Sequence, residues 1–259
     1  MAPFREQYGP FGLVAGAAVG AGPDHANQPP ARGPHLVPAE AIRVQHRVQV
    51  QPLVLDLARP DVHDAVAAAI TGVEVGLLVY NAALGTVAPF LELDVAHLHR
   101  MLDVNARGPL LLTRTLVPAM VARGRGGIIL MSSLAGNIGS AQLAVYAATK
   151  AFALVLADAL WAELRPHGVD VLAVQPGSTR TPGWLSSQPA GGGAPPLPGM
   201  EPAEVVREAL DALGVEPHVV PGELNRQGAA ALAGLPRRQA IELISAITAA
   251  LVPNHRPAS

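Results

Sequence analysis

Tyr146 and Lys150 stand four residues apart in Tyr-Ala-Ala-Thr-Lys, a spacing that puts two side chains on one face of a helix. A phenol titrates near pH 10, and an ammonium within about 4–6 Å favours the phenolate. The pair is therefore a proton donor and acceptor workable nearer neutral pH. Lys150 is the only lysine among 18 basic residues, and Tyr146 is one of three tyrosines. A chain that uses arginine at every other basic position keeps here a compact ammonium that can lose its charge. Ser133 lies thirteen positions before Tyr146, just after the apolar run Ile128–Met131, where its hydroxyl can hold a carbonyl oxygen. Asn105 offers a side-chain amide or a backbone carbonyl to anchor a water behind the lysine. The plainer alternatives are a chance spacing on an ordinary helix, serines that only cap a strand, and an asparagine in a turn.

These residues need a scaffold, and the pattern of apolar runs supplies one. Leu13–Ala15, Leu53–Leu55, Val75–Val79, Ile128–Met131, Val169–Val174 and Val219–Val220 read as strands. Asp61–Ile70, Leu91–Val121, Ala141–Leu164 and Pro202–Leu213 read as helices, the second broken near Asp103–Val104. Continuous apolar strands alternating with helices mean a parallel sheet covered on both faces, a doubly wound α/β fold of three layers. Ligands of such sheets bind beyond the carboxyl ends of the strands. Gly16-x-x-x-Gly20-x-Gly22 after the first strand suits a tight turn close to a pyrophosphate. The helix that should follow is interrupted by Pro29, Pro30 and Pro34, each costing an interior helix about 3 kcal/mol.

The motifs in order resemble the short-chain dehydrogenase/reductase family over about residues 11–215. Tyr80-Asn81-Ala82-Ala83 looks like the family's Asn-Asn-Ala-Gly, and Asp103-Val104-Asn105 like its asparagine segment. The serine segment ending at Ser133, Tyr146-x-x-x-Lys150 and Pro176-Gly177-x-x-x-Thr181 follow in the family's order. The resemblance implies a Rossmann-like domain that interconverts a carbonyl and an alcohol by hydride transfer with NAD or NADP. It implies that Tyr146 is the proton donor, that Lys150 lowers its pKa and binds the nicotinamide ribose, that Ser133 orients the carbonyl and that Asn105 closes the relay. It places Gly16, Gly20 and Gly22 at the pyrophosphate, Asp56 and Leu57 near the adenine, Asn81 and Ala82 beside the adenosine. Pro176, Gly177, Thr179 and Thr181 would hold the carboxamide. The departures are Ala15 for a threonine, Tyr-Asn-Ala-Ala for Asn-Asn-Ala-Gly, the prolines after Gly22, and a short stretch from Gly33 to Asp56. They leave a rival: a non-redox or catalytically impaired protein on the same scaffold with weakened dinucleotide binding. Glu40 against Arg43 and Arg47 leaves the choice of NAD or NADP open.

The chain has 259 residues, half of them hydrophobic, 15% charged, with a net charge of −2 and no cysteine. That length fits one domain over 1–259. The charge speaks against a nucleic-acid partner, and the missing thiols remove disulfides and Cys-ligated metals. Gly12–Gly22 is eleven residues long, too short to span a bilayer, which needs about 20. No stable membrane insertion is expected, and the expected location is cytoplasmic. His97 and His99 read as surface residues, and no metal site is expected. Residues 183–200, with Trp184 and a Gly/Pro run, read as a substrate lid, and 225–251 as a C-terminal helical extension. A small-molecule carbonyl or alcohol is the expected substrate, and a homodimer or homotetramer the expected assembly.

Overall fold

Val, Ile and Leu runs become the strands of one parallel sheet: β1 (Phe11–Ala15), β2 (Val75–Tyr80), β3 (Gly126–Met131), β4 (Val169–Val174) and β5 (His218–Val219), side by side in that order. The structure is a computed structural model and describes residues 4–16, 43, 47, 49–181 and 199–250. The helices are α1 (Phe4–Tyr8), α2 (Val62–Ala69), α3 (Val95–Leu102), α4 (Gly108–Arg123), α5 (Ala144–Leu164), α6 (Pro202–Ala212), α7 (Glu223–Ala233) and α8 (Arg237–Ala250). Alternation along the strands divides the core into two faces. Ile128, Leu130, Val171 and Ala173 pack with Val62 and Val66 of α2, Leu112, Leu116 and Met120 of α4, and Ala157 of α5. Ile129, Leu172 and Val174 face the other way, onto Tyr8, Val205, Ala209 and Leu213. Helices thus cover both faces, as the strand–helix alternation requires.

Local chemistry sets the helix ends. Asp94 caps α3, its carboxylate accepting from the His97 N–H at 2.7 Å. Glu201 and Glu204 form a capping box on α6, with Pro202 in the first turn. Gly124, at φ 68, ends α4. Gly168, at φ 72, follows the short 3-10 turn after α5, and a Cβ there would collide with the Gly124 carbonyl. Two chain reversals therefore touch at the amino end of the sheet. Tyr8 docks there as well, donating from its hydroxyl to Asp170 at 2.9 Å.

The expected strand Leu53–Leu55 does not form. Residues 49–56 have no regular structure, Leu53 and Val54 are exposed, and only Leu55 packs on the core. An apolar run becomes a strand when a neighbour takes its backbone hydrogen bonds, and β1, which would lie nearest, pairs only with β2 among the described residues. Gly20, Gly22, the prolines at 23–34, Glu40, Trp184, residues 183–198 of the expected lid and Leu251 lie outside the described residues. The span Ala144–His167 is long and apolar enough to cross a membrane by length and composition; here its residues pack against β3 and β4 and carry Tyr146 and Lys150.

Candidate active site

The sheet's parallel direction brings the ends of β1 to β4 to one edge, and the predicted residues gather along it. Ser133 follows β3 in an extended conformation, its oxygen accepting from the Ala135 N–H at 3.2 Å, so its own proton is free to donate. Tyr146 lies in the first turn of α5 and Lys150 one turn on. A Cβ on Gly85 would sit 3.2 Å from Cδ2 and Cε2 of the Tyr146 ring, so the loop after β2 packs closely against the phenol. Burial raises the Tyr146 pKa, and the neighbouring Ser133 hydroxyl lowers it in part.

Lys150 is 5% exposed, and burial pushes its pKa down to about 8. Its ammonium donates to the Met131 carbonyl at 2.7 Å and stands 5.6 Å from the centroid of the Tyr146 ring. The net shift on Tyr146 is upward, because desolvation outweighs the Ser133 hydrogen bond; the lowering expected from Lys150 is a separate contribution and stays an expectation. Ser132, unassigned by the sequence, donates to the Lys150 carbonyl at 2.7 Å. The lysine is thus tied to the strand by its head and by its backbone.

Asn105 is 4% exposed in a π-helical segment, Asp103–Arg107, between α3 and α4, where the sequence predicts a break. Its side chain is fully used: Oδ1 accepts from Leu84 N–H at 2.7 Å, and Nδ2 donates to the Leu84 carbonyl at 2.8 Å and to Thr149 Oγ1 at 3.1 Å. Thr149 donates in turn to the Tyr146 carbonyl at 2.8 Å. Asn105 therefore joins the loop after β2 to the first turn of α5, and of the two groups it offers for a water, the side chain is taken. Thr149 was legible only as the residue beside Lys150.

The nucleotide half is partly described. Gly16 has φ 80, and a Cβ there would come within 2.5 Å of the Ala82 backbone, so the first loop presses on the second. Asn81 Nδ2 donates to the Gly16 carbonyl at 3.2 Å. Asp56 accepts from Ala58 N–H and from both terminal nitrogens of Arg100, at 3.0, 3.1 and 3.2 Å. Burial would raise its carboxyl, but these partners hold it below the ordinary value. Leu57 is partly buried and packs against the core. Arg107, missed by the sequence reading, donates to the carbonyls of Ala58 and Arg59 at 2.8 and 3.0 Å and to Asp103 at 2.7 Å, which fixes the Asp56 loop to the π segment. Arg43 donates through Nε to the Val50 carbonyl at 3.1 Å.

At the other end, the Pro176 carbonyl accepts from Leu134 N–H at 3.2 Å, and Thr179 Oγ1 donates back to the Gly177 carbonyl at 3.2 Å. A Cβ on Gly177 would run into the Asn225 side chain. Thr179 pairs with Met200 in an isolated parallel bridge, so residues on either side of 182–198 meet. Thr181 lies two residues beyond, its N–H donating to the Thr179 carbonyl at 2.7 Å. His97, expected as a free surface residue, is half-buried and shares a hydrogen bond of 2.8 Å with Thr86 in the loop over Tyr146.

The family profile described as short chain dehydrogenase matches residues 13–190. The chain belongs to the short-chain dehydrogenase family. A 7beta-hydroxysteroid dehydrogenase of Collinsella aerofaciens is 31% identical over 235 residues, 86% of this chain and 89% of that one. A very-long-chain 3-oxoacyl-CoA reductase of Bos taurus is 27% identical over 223 residues, 80% of this chain and 70% of that one. A solved structure concerned with 7beta-hydroxysteroid dehydrogenase stereoselectivity superimposes with a TM-score of 0.81 at 28% identity, covering 93% of this chain and 98% of that one. A short chain dehydrogenase of Burkholderia cenocepacia in complex with NADP gives 0.62 at 30% identity, covering 74% and 79%. A Brucella melitensis 3-oxoacyl-[acyl-carrier protein] reductase with bound NAD gives 0.59 at 29%, covering 70% and 73%. As a member of the short-chain dehydrogenases, the chain is an NAD(P)-dependent oxidoreductase acting between a carbonyl and an alcohol, and neighbours with either nucleotide leave the preference open. The rival reading of an impaired, non-redox protein finds no support among these dehydrogenases and reductases.

Proposed function

We propose that the chain interconverts a ketone and a secondary alcohol on a bulky apolar molecule of the hydroxysteroid type, with Tyr146 passing the proton. The observation that carries the reading is the Ser133 hydroxyl bonded to Tyr146 at the end of β3, with the buried Lys150 ammonium 5.6 Å from the centroid of the phenol ring. The steroid class is supported by relatives that match over most of both chains; the acyl-CoA reductase matches over less of its own length.

The residues fit a nicotinamide nucleotide. Lys150 has three N–H donors and one acceptor, Met131, so a buried ammonium keeps two donors for the hydroxyls of a ribose. Gly16, Asn81 and Ala82, which touch one another, would line the pyrophosphate and adenosine side, Pro176, Gly177 and Thr181 would hold the carboxamide, and Asp56 with Arg100 would lie near the adenine. When bound, the nicotinamide supplies the hydride in reduction and accepts it in oxidation. In reduction, Ser133 donates a hydrogen bond to the carbonyl oxygen and Tyr146 transfers its proton to that oxygen as the new C–H bond forms. The C=O bond becomes an alcohol, and Tyr146 is left as a phenolate beside the Lys150 ammonium, the nearest buried proton donor from which the phenol would be restored. With its amide engaged, Asn105 contributes its backbone carbonyl to hold the water behind Lys150. The chain acts in the cytoplasm as a homo-oligomer built on the outer face of α5, in a single catalytic domain whose C-terminal extension is 225–251; cell fractionation tests the location.

The test is nicotinamide turnover with a ketosteroid and with a 3-oxoacyl thioester, for parent and Tyr146→Phe. Turnover of the ketosteroid is expected, and a fall of about 10²-fold or more in the folded variant, the scale of a general acid. Turnover of the thioester alone would replace the substrate class. Full activity of Tyr146→Phe would remove the proton-donor role.

A further inference from the structure

The turn that leads into α5 is gripped from two sides. Leu143 N–H donates to the Ser140 carbonyl at 3.2 Å, closing the turn, and Gln142 sits within it at φ 67. That place ordinarily takes glycine or asparagine, and a residue held there persists where its surroundings fix it. On the cleft side, Ala88 N–H donates to the Gln142 carbonyl at 3.0 Å, from the same loop that lays Gly85 on the Tyr146 ring. On the far side stands α8, whose contacting residues come 104 and 108 positions later in the chain. Ser245 Oγ accepts from Ala141 N–H at 3.0 Å. Buried Thr248 shares a hydrogen bond of 2.8 Å with the Ser140 hydroxyl, in which either oxygen can be the donor; each hydroxyl also reaches a backbone carbonyl, Thr248 that of Ile244 at 2.9 Å and Ser140 that of Ala141 at 3.1 Å. Leu143 is the cap of α5 and its carbonyl receives Ala147 N–H at 2.8 Å. Tyr146 rides on that first helical turn, so any movement of the Ser140–Gln142 turn moves the phenol.

We infer that Ser245 and Thr248 are positioning residues for the reaction: through the strained turn at Gln142 they set the place of the Tyr146 hydroxyl against Ser133. The inference rests on Tyr146 being the proton donor. It makes α8 a working part of the acid–base centre, although the helix contributes no group to the reacting atoms.

The experiment compares Ser245→Ala, Thr248→Val, their double variant and Thr248→Ser with the parent, well below the unfolding temperature, with turnover expressed per nucleotide-binding site. A displaced phenol should lower kcat in the double variant by about tenfold or more, since a shift near 1 Å costs up to about 10². KM and nucleotide affinity should change little, and Thr248→Ser, which keeps the oxygen, should restore kcat. A kcat equal to the parent's in the folded double variant overturns the inference, as does a lowered Tm with kcat intact, which would make α8 a brace only. Ser245→Ala replaces a residue by a better helix former and carries the same reading if the double variant does not fold. Tyr146→Phe separates the two claims. If it is active, the proton-donor reading has failed; if it is inactive while the clamp variants turn over normally, only the present inference has failed.

Discussion

An ammonium with one hydrogen-bond acceptor and little water around it gives up its proton early, and for Lys150 the value falls to about 8 from an ordinary 10.5. Between about pH 8 and the onset of tyrosine ionisation near 10, the unfolded chain holds this proton and the folded chain does not. Stability then rises with pH across that window. Below pH 8 both states are protonated and the slope vanishes. Above pH 10 the sign reverses, because burial raises the phenols of Tyr8, Tyr80 and Tyr146. The whole lysine shift is worth about 3 kcal/mol at most. Urea unfolding of the nucleotide-free protein should show the rise in the parent and a much flatter profile in Lys150→Met; equal slopes would assign the titration elsewhere. The sequence showed the lysine, the tyrosine and the serine because each belongs to a spaced motif on a predicted element. It did not show Ser132, Thr149 or Arg100, whose importance comes from partners distant in the chain. Nor did it show the direction of the tyrosine shift, which depends on how much water the fold removes.

The π segment carries a dependence between two elements. Tyr80 at the end of β2 donates to the Val104 carbonyl at 2.6 Å, and a Cβ on Gly108 would strike that hydroxyl. The tyrosine that replaces a family asparagine thus needs a glycine where the π turn passes into α4. Gly108→Ala should destabilise the protein by about 1–3 kcal/mol, the range of overpacking. In Tyr80→Phe, which itself leaves a carbonyl short of a partner at about 1–3 kcal/mol, the same change should cost less. A double-mutant cycle by chemical unfolding measures this coupling; additive costs would mean that the two do not meet. Asn105 lies between them, so either single variant should also lower kcat. Pattern reading placed this break correctly, since Asp103–Val104 interrupts the apolar period. It failed at Leu53–Leu55 because periodicity reports which residues prefer burial, not whether a neighbouring strand exists to pair with.

Across the molecule, packing and chemistry sit at opposite ends of the sheet: Tyr8, Asp170, Gly124 and Gly168 close the amino end, and the reactive groups occupy the carboxyl end. A third region is the outer face of α5, where Ala148, Ala151, Phe152, Val155, Leu156 and Ala159 line a shallow apolar hollow and Val155 is 66% exposed. Two copies can meet there by the same patch, the arrangement of a two-fold dimer. If copies pair there, Val155→Glu should lower the mass seen in sedimentation velocity while leaving the chain folded; an unchanged mass would remove this face as an interface. The seam between Lys150 and β3 has a kinetic meaning of its own. Ser133, Tyr146 and Lys150 all fall within one continuous stretch, β3 to β4, whereas Gly16 and Asp56 come from outside it. Proteins open in contiguous cooperative units rather than atom by atom. A stretch stitched at Met131, Ser132 and Lys150 would be among the last to exchange its amides, and β1, with one neighbour among the described strands, among the first. As the chain opens, this enzyme would lose its grip on the nucleotide while its acid is still assembled.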